Sequence, residues 1–127
     1  MDDHPNSLQV EALRILEVLS DIEFDNCLPL TREFNDLPPR PGIYAVKHRT
    51  QGILYIGKSG NVRSRFRGGH KALGWALIDR MSPDDIRIAV ATLSFKWIRL
   101  SLQLEQIIIR QLLPPLQRAH RSGGLDQ

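Results

Sequence analysis

Apolar residues recur every three or four positions between residues 5 and 20, as they would along one face of a helix. The members of this face are Leu8, Ala12, Leu13, Ile15, Leu16 and Leu19. Polar residues occupy most of the remaining positions. The pattern therefore predicts an amphipathic helix near the start of the sequence.

A connector without regular periodicity follows, from residue 21 to residue 41. It mixes acidic residues with four prolines, which interrupt helices and the interior strands of sheets. We expect a connector of poor regularity in this segment. The pattern divides the chain into an acidic helix and connector over residues 1–40, a domain over residues 41–118, and a disordered tail over residues 119–127.

Two strand patterns separated by a short polar loop predict a β-hairpin at the start of the domain. Residues 42–48 and 53–56 are rich in β-forming side chains, and residues 49–52 form the loop between them. Residues 86–93 give a third strand pattern.

Helical patterns cover the rest of the domain. One begins at Asn61 and runs into the seventies, where residues 68–69 and Gly74 are candidate break points. Another covers residues 101–113 and stops at the two prolines that follow. The order of elements predicts an α+β fold, with a small antiparallel three-stranded sheet flanked by helices and an extra N-terminal helix.

A chain of 127 residues with 42% hydrophobic residues is long enough to bury one compact core but not two. Its apolar runs are short and its first residues are acidic, so we expect neither a membrane span nor a signal peptide. A single cysteine, Cys27, excludes an internal disulfide and a cysteine-rich zinc site. These features predict a cytoplasmic protein with one folded core.

Charge is distributed unevenly along the chain. Residues 1–36 carry nine acidic and two basic residues, a net charge of −7, whereas the remaining residues carry 15 basic and five acidic ones, a net charge of +10. A basic surface of this size is typical of a protein that binds a polyanion such as nucleic acid. A solvated basic surface would give the same count.

The register of the predicted hairpin decides whether its two tyrosines share a face. If the loop is even-numbered and centred on residues 50–51, Val46 lies opposite Tyr55, and Tyr44 lies diagonally beside it. The two phenols then form one surface, either through ordinary aromatic packing or as part of a site.

Basic side chains gather on and around the helix that follows the hairpin. They are Lys58, Arg63, Arg65, Arg67, His70 and Lys71. A continuous helix places Arg65 at the border of its apolar face. It places Arg63, Arg67 and His70 together on the other side of that face. These cations would hold phosphate oxygens near the helix N-terminus, unless they form only a solvated basic face.

Glu105 lies in the middle of the apolar face of the last predicted helix. Burying a carboxylate without a partner costs several kcal/mol, so Glu105 should pair with a cation or bind a metal ion. A structural ion pair with Arg65 is the alternative to a metal site. Both interpretations place Glu105 facing inward.

The two tyrosines belong to tripeptides that resemble those of the GIY-YIG nuclease family. GIY occupies residues 42–44, and YIG follows ten residues later at residues 55–57. Lys58 comes next, Arg65 follows at a matching distance, and Glu105 lies on a later helix that ends in Pro-Pro. Each tripeptide alone is a weak match, and the joint spacing carries the resemblance.

The resemblance covers residues 40–118 and implies a metal-dependent endonuclease that hydrolyses DNA phosphodiester bonds. Tyr44 would activate the attacking water as a general base, with Tyr55 positioning it. Arg65 would stabilise charge on the phosphoryl group, and Glu105 would hold one divalent metal, Mg²⁺ or Mn²⁺. Further residues assigned to the site are the catalytic auxiliaries Lys58 and His70, the nucleic-acid contacts Arg63, Arg67 and Lys71, and the positioning residues Gly57 and Gln117.

The role of Tyr44 requires a shift in its pKa. A phenol with an ordinary pKa of about 10 is a poor base at neutral pH. Nearby Lys58, Arg65 and the metal would have to lower that value.

Two positions depart from the pattern of the family. Members commonly carry asparagine shortly after the proline that ends the last helix, where this chain has Gln117, one methylene longer. Many members carry histidine or tyrosine four residues after the arginine, where this chain has Gly69, with His70 one residue further. These departures motivate an alternative hypothesis, a catalytically weakened module that still binds nucleic acid.

The leading hypothesis has DNA as the partner, with RNA left open and no membrane contact. The chain is expected to act as a monomer or a weak dimer. A third hypothesis is an interaction protein that docks a protein partner through its acidic N-terminal segment.

Overall fold

Four strands form the sheet, one more than the sequence predicts. The computed structural model of the chain describes residues 5–120. Its strands are β1 (Leu28–Pro29), β2 (Gly42–His48), β3 (Gly52–Ser59) and β4 (Ile86–Thr92). They are antiparallel and lie in the order β1-β4-β2-β3. The predicted three-stranded sheet lacked β1, because a strand of two residues that pairs with β4 carries no periodic signal.

The helices confirm the predicted α+β class. Within the described residues they are α1 (Pro5–Asp21), α2 (Val62–Arg67), α3 (Lys71–Ile78), α4 (Phe95–Ile98), α5 (Ser101–Leu112) and α6 (Pro115–His120). The helix predicted after Asn61 breaks at residues 68–69, where Gly69 has a φ of +91°, whereas Gly74 lies inside α3. None of these helices is long and apolar enough to cross a membrane.

The predicted disordered tail falls largely beyond this range. Residues 119 and 120 belong to α6. Residues 121–127 lie outside the described part of the chain.

The hairpin of β2 and β3 reaches the predicted register through a different turn. Strand pairing closes on a loop of residues 49–51 instead of an even-numbered loop. A register shift farther along the ladder then leaves Leu54 as a β-bulge. The odd loop and the bulge together restore the register of an even loop, so Val46 pairs with Tyr55 as predicted.

The sheet separates two layers of helices. The first layer consists of α1 and α5, which pack on one face and on each other. Its buried core contains Ala12, Ile15, Leu19, Ile43, Ala45, Ile56, Ala89, Ala91, Leu104 and Ile108. The opposite face carries Tyr44 and Tyr55 and is covered by α2, α3 and α6. The N-terminal helix is therefore part of the same core as the domain.

A buried lysine ties α1 to the sheet. Lys47 projects from β2 and is only 6% exposed. Its ammonium group donates hydrogen bonds of 2.5–3.3 Å to the carbonyls of Leu19, Ser20 and Ile22. Carbonyls at the C-terminal end of a helix lack intrahelical partners and carry partial negative charge. Lys47 therefore caps α1, and these contacts compensate its burial.

Replacing Lys47 by methionine is expected to lower the free energy of unfolding by about 2 kcal/mol, because three carbonyls lose a charged donor. Methionine keeps an apolar stem of similar length, so little packing is lost. Urea unfolding measures the change. Lys96→Met, at an exposed position, is the matched control. Equal unfolding midpoints for the two variants would show that the cap adds no net stability.

Candidate active site

The two tyrosines lie side by side on the sheet face that α2 and α3 cover. Their ring centroids are 6.4 Å apart and the rings are tilted by 23°. Tyr44 is 2% exposed and Tyr55 is 8% exposed. Phe66 of α2 packs edge-on against Tyr44 at 4.9 Å, and Trp75 of α3 packs against Tyr55 at 5.9 Å. The predicted shared surface is formed, and aromatic packing fixes both rings within it.

Gly57 lies beneath the Tyr44 ring. It is the cross-strand partner of Tyr44 on β3. A Cβ atom at this position would lie 2.5 Å from Tyr44 Cζ, much closer than van der Waals contact allows. A larger residue would therefore displace the ring, which gives a physical basis for the positioning role predicted for Gly57.

His70 approaches Tyr44 from the break between α2 and α3. Its Nε2 atom hydrogen bonds to the Tyr44 hydroxyl, and its Nδ1 atom accepts the backbone N–H of Ala72 at 3.0 Å. An acceptor at Nδ1 carries no proton, so in the neutral ring the proton sits on Nε2. His70 therefore donates to the oxygen of Tyr44. This hydrogen bond is fixed by the backbone at the start of α3.

The glycine break also corrects one prediction. A continuous helix would have placed His70 beside Arg63 and Arg67 on an exposed side. Instead α2 ends at Arg67 and the chain turns through Gly69, so His70 points into the core and is 5% exposed.

Burial keeps His70 neutral. Its pKa is lowered to about 3, first by burial and then by the charges of Arg65 and Lys71. Below the ordinary value of 6.5 the unfolded chain binds a proton that the folded chain excludes, so the free energy of unfolding falls with falling pH. Above pH 6.5 this contribution to the free energy of unfolding is fully present. Between pH 6.5 and about 3 it is lost, with an expected slope of about 1.4 kcal/mol per pH unit.

The His70→Gln variant should lose this slope, because glutamine does not titrate. Its amide can still accept from Ala72 and donate to Tyr44, which keeps the fold available for comparison. Urea unfolding at several pH values below 6.5 measures the slope. His48→Gln, in the hairpin, is the matched control. An unchanged slope in His70→Gln would show that another group causes the acid sensitivity.

Arg65 is the cation nearest to the two phenols. Its charge favours the ionised form of Tyr44, and its guanidinium donates to the Gly69 carbonyl at 3.3 Å. Burial nevertheless raises the pKa of Tyr44 above its ordinary value, and the charges of Tyr55 and Glu105 raise it further against the effect of Arg65. Burial also raises the pKa of Tyr55. The cations of the chain therefore do not achieve the lowering that a tyrosine base requires.

Glu105 of α5 is half-buried beside Lys58. Burial raises the pKa of its carboxyl group, whereas Lys58, through its charge and its backbone N–H, and then Lys71 lower it. The ion pairs of the described residues involve Arg14 and Arg49. The Arg65–Glu105 pair that the sequence left open is not among them.

The donor set around Glu105 fits magnesium. Residues 5–120 contain no group of three His, Cys, Asp or Glu side chains placed to hold a metal ion. Zinc usually needs three or four such ligands, whereas Mg²⁺ keeps several waters and binds through one or two carboxylates and substrate phosphates. A single inward carboxylate therefore suits Mg²⁺, and Mn²⁺ accepts the same ligands.

Arg63 and Arg67 bind the connector. Arg63 donates two hydrogen bonds of 2.9 Å to connector carbonyls. Arg67 donates one of 2.6 Å to the Glu33 carbonyl and a second to the side-chain oxygen of Asn35. These contacts fasten residues 33–37 to α2, which carries Arg65. Lys71 lies over the ring of Trp75 at 5.3 Å. The nucleic-acid contacts predicted for Arg63, Arg67 and Lys71 stay predictions, and the structure gives each residue an internal role as well.

Gln117 of α6 binds the free edge of β3. Its Oε1 atom accepts the Ile56 N–H at 3.0 Å, and its Nε2 atom donates to the Ile56 carbonyl at 2.6 Å. Because β3 is the last strand of the sheet, the amide takes the place of a further strand at Ile56. The longer side chain therefore makes both hydrogen bonds to Ile56, the residue between Tyr55 and Gly57 in the sequence.

The sequence did not identify three residues of the site, which are Phe66, Ala72 and Trp75. Phe66 stacks on His70 with centroids 4.7 Å apart, and its only signal was a place on an apolar helix face. The pair of Lys71 and Trp75 has i,i+4 spacing, which would have indicated their contact. Ala72 acts through its backbone N–H, for which a sequence carries no signal.

Proteins named UvrABC system protein C are similar to this chain. The one from Chlorobium chlorochromatii (strain CaD3) is 32% identical over 109 residues, which are 83% of this chain and 16% of that protein. The one from Synechococcus sp. (strain JA-3-3Ab) is 31% identical over 91 residues, 68% of this chain and 14% of that protein. The chain thus matches only a small part of the length of these relatives.

A sequence model and a solved structure complete the comparison. The GIY-YIG N-terminal endonuclease domain of UvrC from Thermotoga maritima, bound to magnesium, has a TM-score of 0.48 and 18% identity, covering 68% of this chain and 98% of that one. A family model described as the GIY-YIG catalytic domain matches residues 40–118, the range that the tripeptides indicate. This match covers more than half of the residues of the chain, and the chain therefore belongs to the GIY-YIG catalytic domain family.

Proposed function

We propose that this chain is a metal-dependent endonuclease domain that hydrolyses phosphodiester bonds of DNA. The observation that carries the proposal is the Tyr44 oxygen, which accepts a hydrogen bond from His70 and lies near the charge of Arg65 inside a buried aromatic cluster. The His70 donor and the Arg65 charge both stabilise negative charge on the phenol oxygen. A buried tyrosine hydroxyl needs one hydrogen-bond partner in any case, whereas the additional cation favours its ionised form.

After releasing its own proton to solvent, Tyr44 takes a proton from the attacking water. The water oxygen forms a bond to phosphorus as the bond from phosphorus to the leaving oxygen breaks, and the leaving oxygen takes up a proton from solvent. His70 and Arg65 stabilise the phenolate before it takes the proton, because charged acceptors make the stronger hydrogen bonds. His70 acts as a donor in this step and not as a second base, since its Nδ1 lone pair is occupied by Ala72. Tyr55 orients the water beside Tyr44.

Glu105 would hold the divalent metal, Mg²⁺ or Mn²⁺, which supplies neutralising charge to the phosphate and the leaving oxygen. Once its own charge is neutralised, Glu105 no longer raises the pKa of Tyr44 and Tyr55. Lys58 lies beside the same carboxylate and would bind a phosphate oxygen there. Arg65 stabilises charge on the phosphoryl oxygens.

DNA is the proposed substrate, with RNA to be tested beside it. The net charge of +10 over residues 37–127 supports a polyanion. The similarity to UvrABC system protein C favours a role in the UvrABC system over a role as a restriction enzyme. We propose a cytoplasmic location and a monomer or weak dimer, with a protein partner using the outer side of α1, where Val10 and Leu13 are exposed.

Cleavage of a substrate panel tests the proposal. Plasmid, linear, branched and single-stranded DNA, with a matched RNA, are incubated with the chain in Mg²⁺, in Mn²⁺ and in chelator. Metal-dependent internal cutting of DNA is the expected result. An absence of cutting on every substrate in both metals would overturn the proposal and leave a binding module.

The Gln117→Asn variant separates the active enzyme from the weakened module. Asparagine is one methylene shorter and would lose at least one of the two hydrogen bonds to Ile56. We expect cleavage about tenfold slower, in keeping with the loss of about 1.4 kcal/mol of positioning. Cleavage rates in Mg²⁺ measure it, with Gln106→Asn on α5 as the matched control. A faster Gln117→Asn variant would support the weakened module.

A further inference from the structure

An aromatic side chain on α4 faces solvent almost completely. Phe95 is 91% exposed, the largest exposed fraction among the large hydrophobic residues of the described chain. Trp97 and Ile98, in the same turn, pack against the core of the first helical layer. The turn is therefore anchored at its far side while Phe95 projects outward. A ligand that covered this ring would gain from the burial of its apolar surface.

The α4 turn lies at the end of the sheet where β3 leads into the site. Thr92, the last residue of β4, pairs with Gly42, which pairs with Ser59, the residue after Lys58. Two strand spacings place Thr92 roughly 10 Å from Ser59. Phe95 is three residues further, so its Cα lies at most about 20 Å from Ser59. About six nucleotides of one strand span that distance.

The charge around Phe95 suits nucleic acid. The chain contains no acidic residue from residue 86 to residue 104. Lys96 and Arg99 are exposed in or next to α4, and Lys96 lies over the Trp97 ring at 5.1 Å. By contrast, the exposed apolar residues of α1 lie among Glu11 and Glu17. A polyanion is therefore favoured at α4, whereas a protein partner is favoured at α1.

We propose that Phe95, Lys96 and Arg99 form a second nucleic-acid contact, at which an unpaired base stacks on the Phe95 ring and the two cations bind the neighbouring phosphates. The proposal rests on the proposed function, because it extends the path of the substrate strand beyond the cleavage site. A phenyl ring has no hydrogen-bonding group with which to select a base, so the contact is tolerant of sequence. It favours substrates with unpaired bases near the cut.

Binding to single-stranded and duplex DNA tests the contact. The full chain carries Glu105→Gln so that the substrate is bound without being cut. Fluorescence anisotropy measures the Kd for a labelled single strand of about 12 nucleotides and for the matching duplex. Phe95→Ala is expected to weaken single-strand binding by about tenfold and duplex binding by less than about twofold. Phe95→Trp should retain single-strand binding, and Val10→Ala is the matched control for loss of an exposed apolar side chain.

The cations give an independent measurement. Replacing both Lys96 and Arg99 by glutamine should reduce the slope of log Kd against log salt concentration by about 0.7 for each single-strand phosphate contact removed. An unchanged slope, or a Phe95→Ala variant that binds single strands like its parent, would overturn the proposal. Equal losses on single strand and duplex would also overturn it, because stacking requires an unpaired base.

The outcome is separate from the cleavage panel. A wild-type chain that cuts DNA while Phe95→Ala binds normally removes this contact and leaves the proposed function intact. A chain that cuts no substrate while Phe95→Ala loses single-strand binding supports this contact and overturns the proposed function.

Discussion

The cleavage rate in Mg²⁺ is expected to fall by about 10³-fold or more when Glu105 is replaced by glutamine, because metal charge stabilisation contributes several kcal/mol to phosphoryl transfer. Glutamine keeps the shape of the side chain and removes its charge. The half-buried carboxylate beside Lys58 is the group through which the described residues would hold the cation. Without the carboxylate, the cation would stabilise no charge on the leaving oxygen and would have no effect on the raised pKa values of the two tyrosines.

Metal binding provides a readout that does not depend on activity. Mg²⁺ should raise the thermal unfolding midpoint of the wild type by mass action, and it should leave that of Glu105→Gln unchanged. Glu17→Gln, on the exposed side of α1, removes the same charge away from the site and is the matched control. If Glu105→Gln cleaved DNA at the wild-type rate and Mg²⁺ raised its unfolding midpoint as much as that of the wild type, the metal would bind elsewhere or would not be used.

The tyrosine pair was predictable because strand alternation is a local property. Residues at even spacing on paired strands share a face, and Tyr44 and Tyr55 obey that rule. The route to the register was not predictable. The three-residue loop and the bulge at Leu54 each shift the ladder by one residue, and only their combination restores the pairing that an even loop gives. A correct register was reached from an incorrect turn.

His70 shows where the helical pattern failed. The sequence offered two break points, and the side of the helix that His70 occupies depends on which one is used. A positive φ at Gly69 ends α2 and turns His70 inward. The residue one position beyond the usual place in the family therefore still reaches Tyr44. Its orientation comes from a backbone N–H at Ala72, to which every residue type except proline contributes equally.

Long-range contacts account for the remaining differences. Arg63 and Arg67 looked like phosphate ligands because the sequence shows their charge but not their partners. Those partners lie 26–34 residues earlier, in a connector without periodicity. Gln117 reaches Ile56 across 61 residues, and only the position of α6 decides whether its extra methylene breaks or completes that contact. Such pairs follow from the assembled fold, which local patterns do not determine.

Replacing Tyr44 by phenylalanine is expected to lower the cleavage rate by about 10³-fold, within the range for loss of a general base. Phenylalanine keeps the ring that packs on Phe66 and Gly57 and removes only the oxygen. The loss should fall on kcat, with the Kd for DNA nearly unchanged, because the oxygen acts on the water and not on the substrate. Single-turnover cleavage and anisotropy measure the two quantities.

The pH dependence distinguishes a base from a packing residue. Because the pKa of Tyr44 lies above its ordinary value, the fraction present as phenolate, and with it the wild-type rate, should rise with pH by up to about tenfold per unit. The residual rate of Tyr44→Phe should lack this rise. Tyr55→Phe is the matched control, and it should be slower than the wild type yet keep the same pH profile. If Tyr55→Phe flattened the profile while Tyr44→Phe retained it, the two tyrosines would have to exchange roles, and the hydrogen bond between His70 and Tyr44 would serve packing alone.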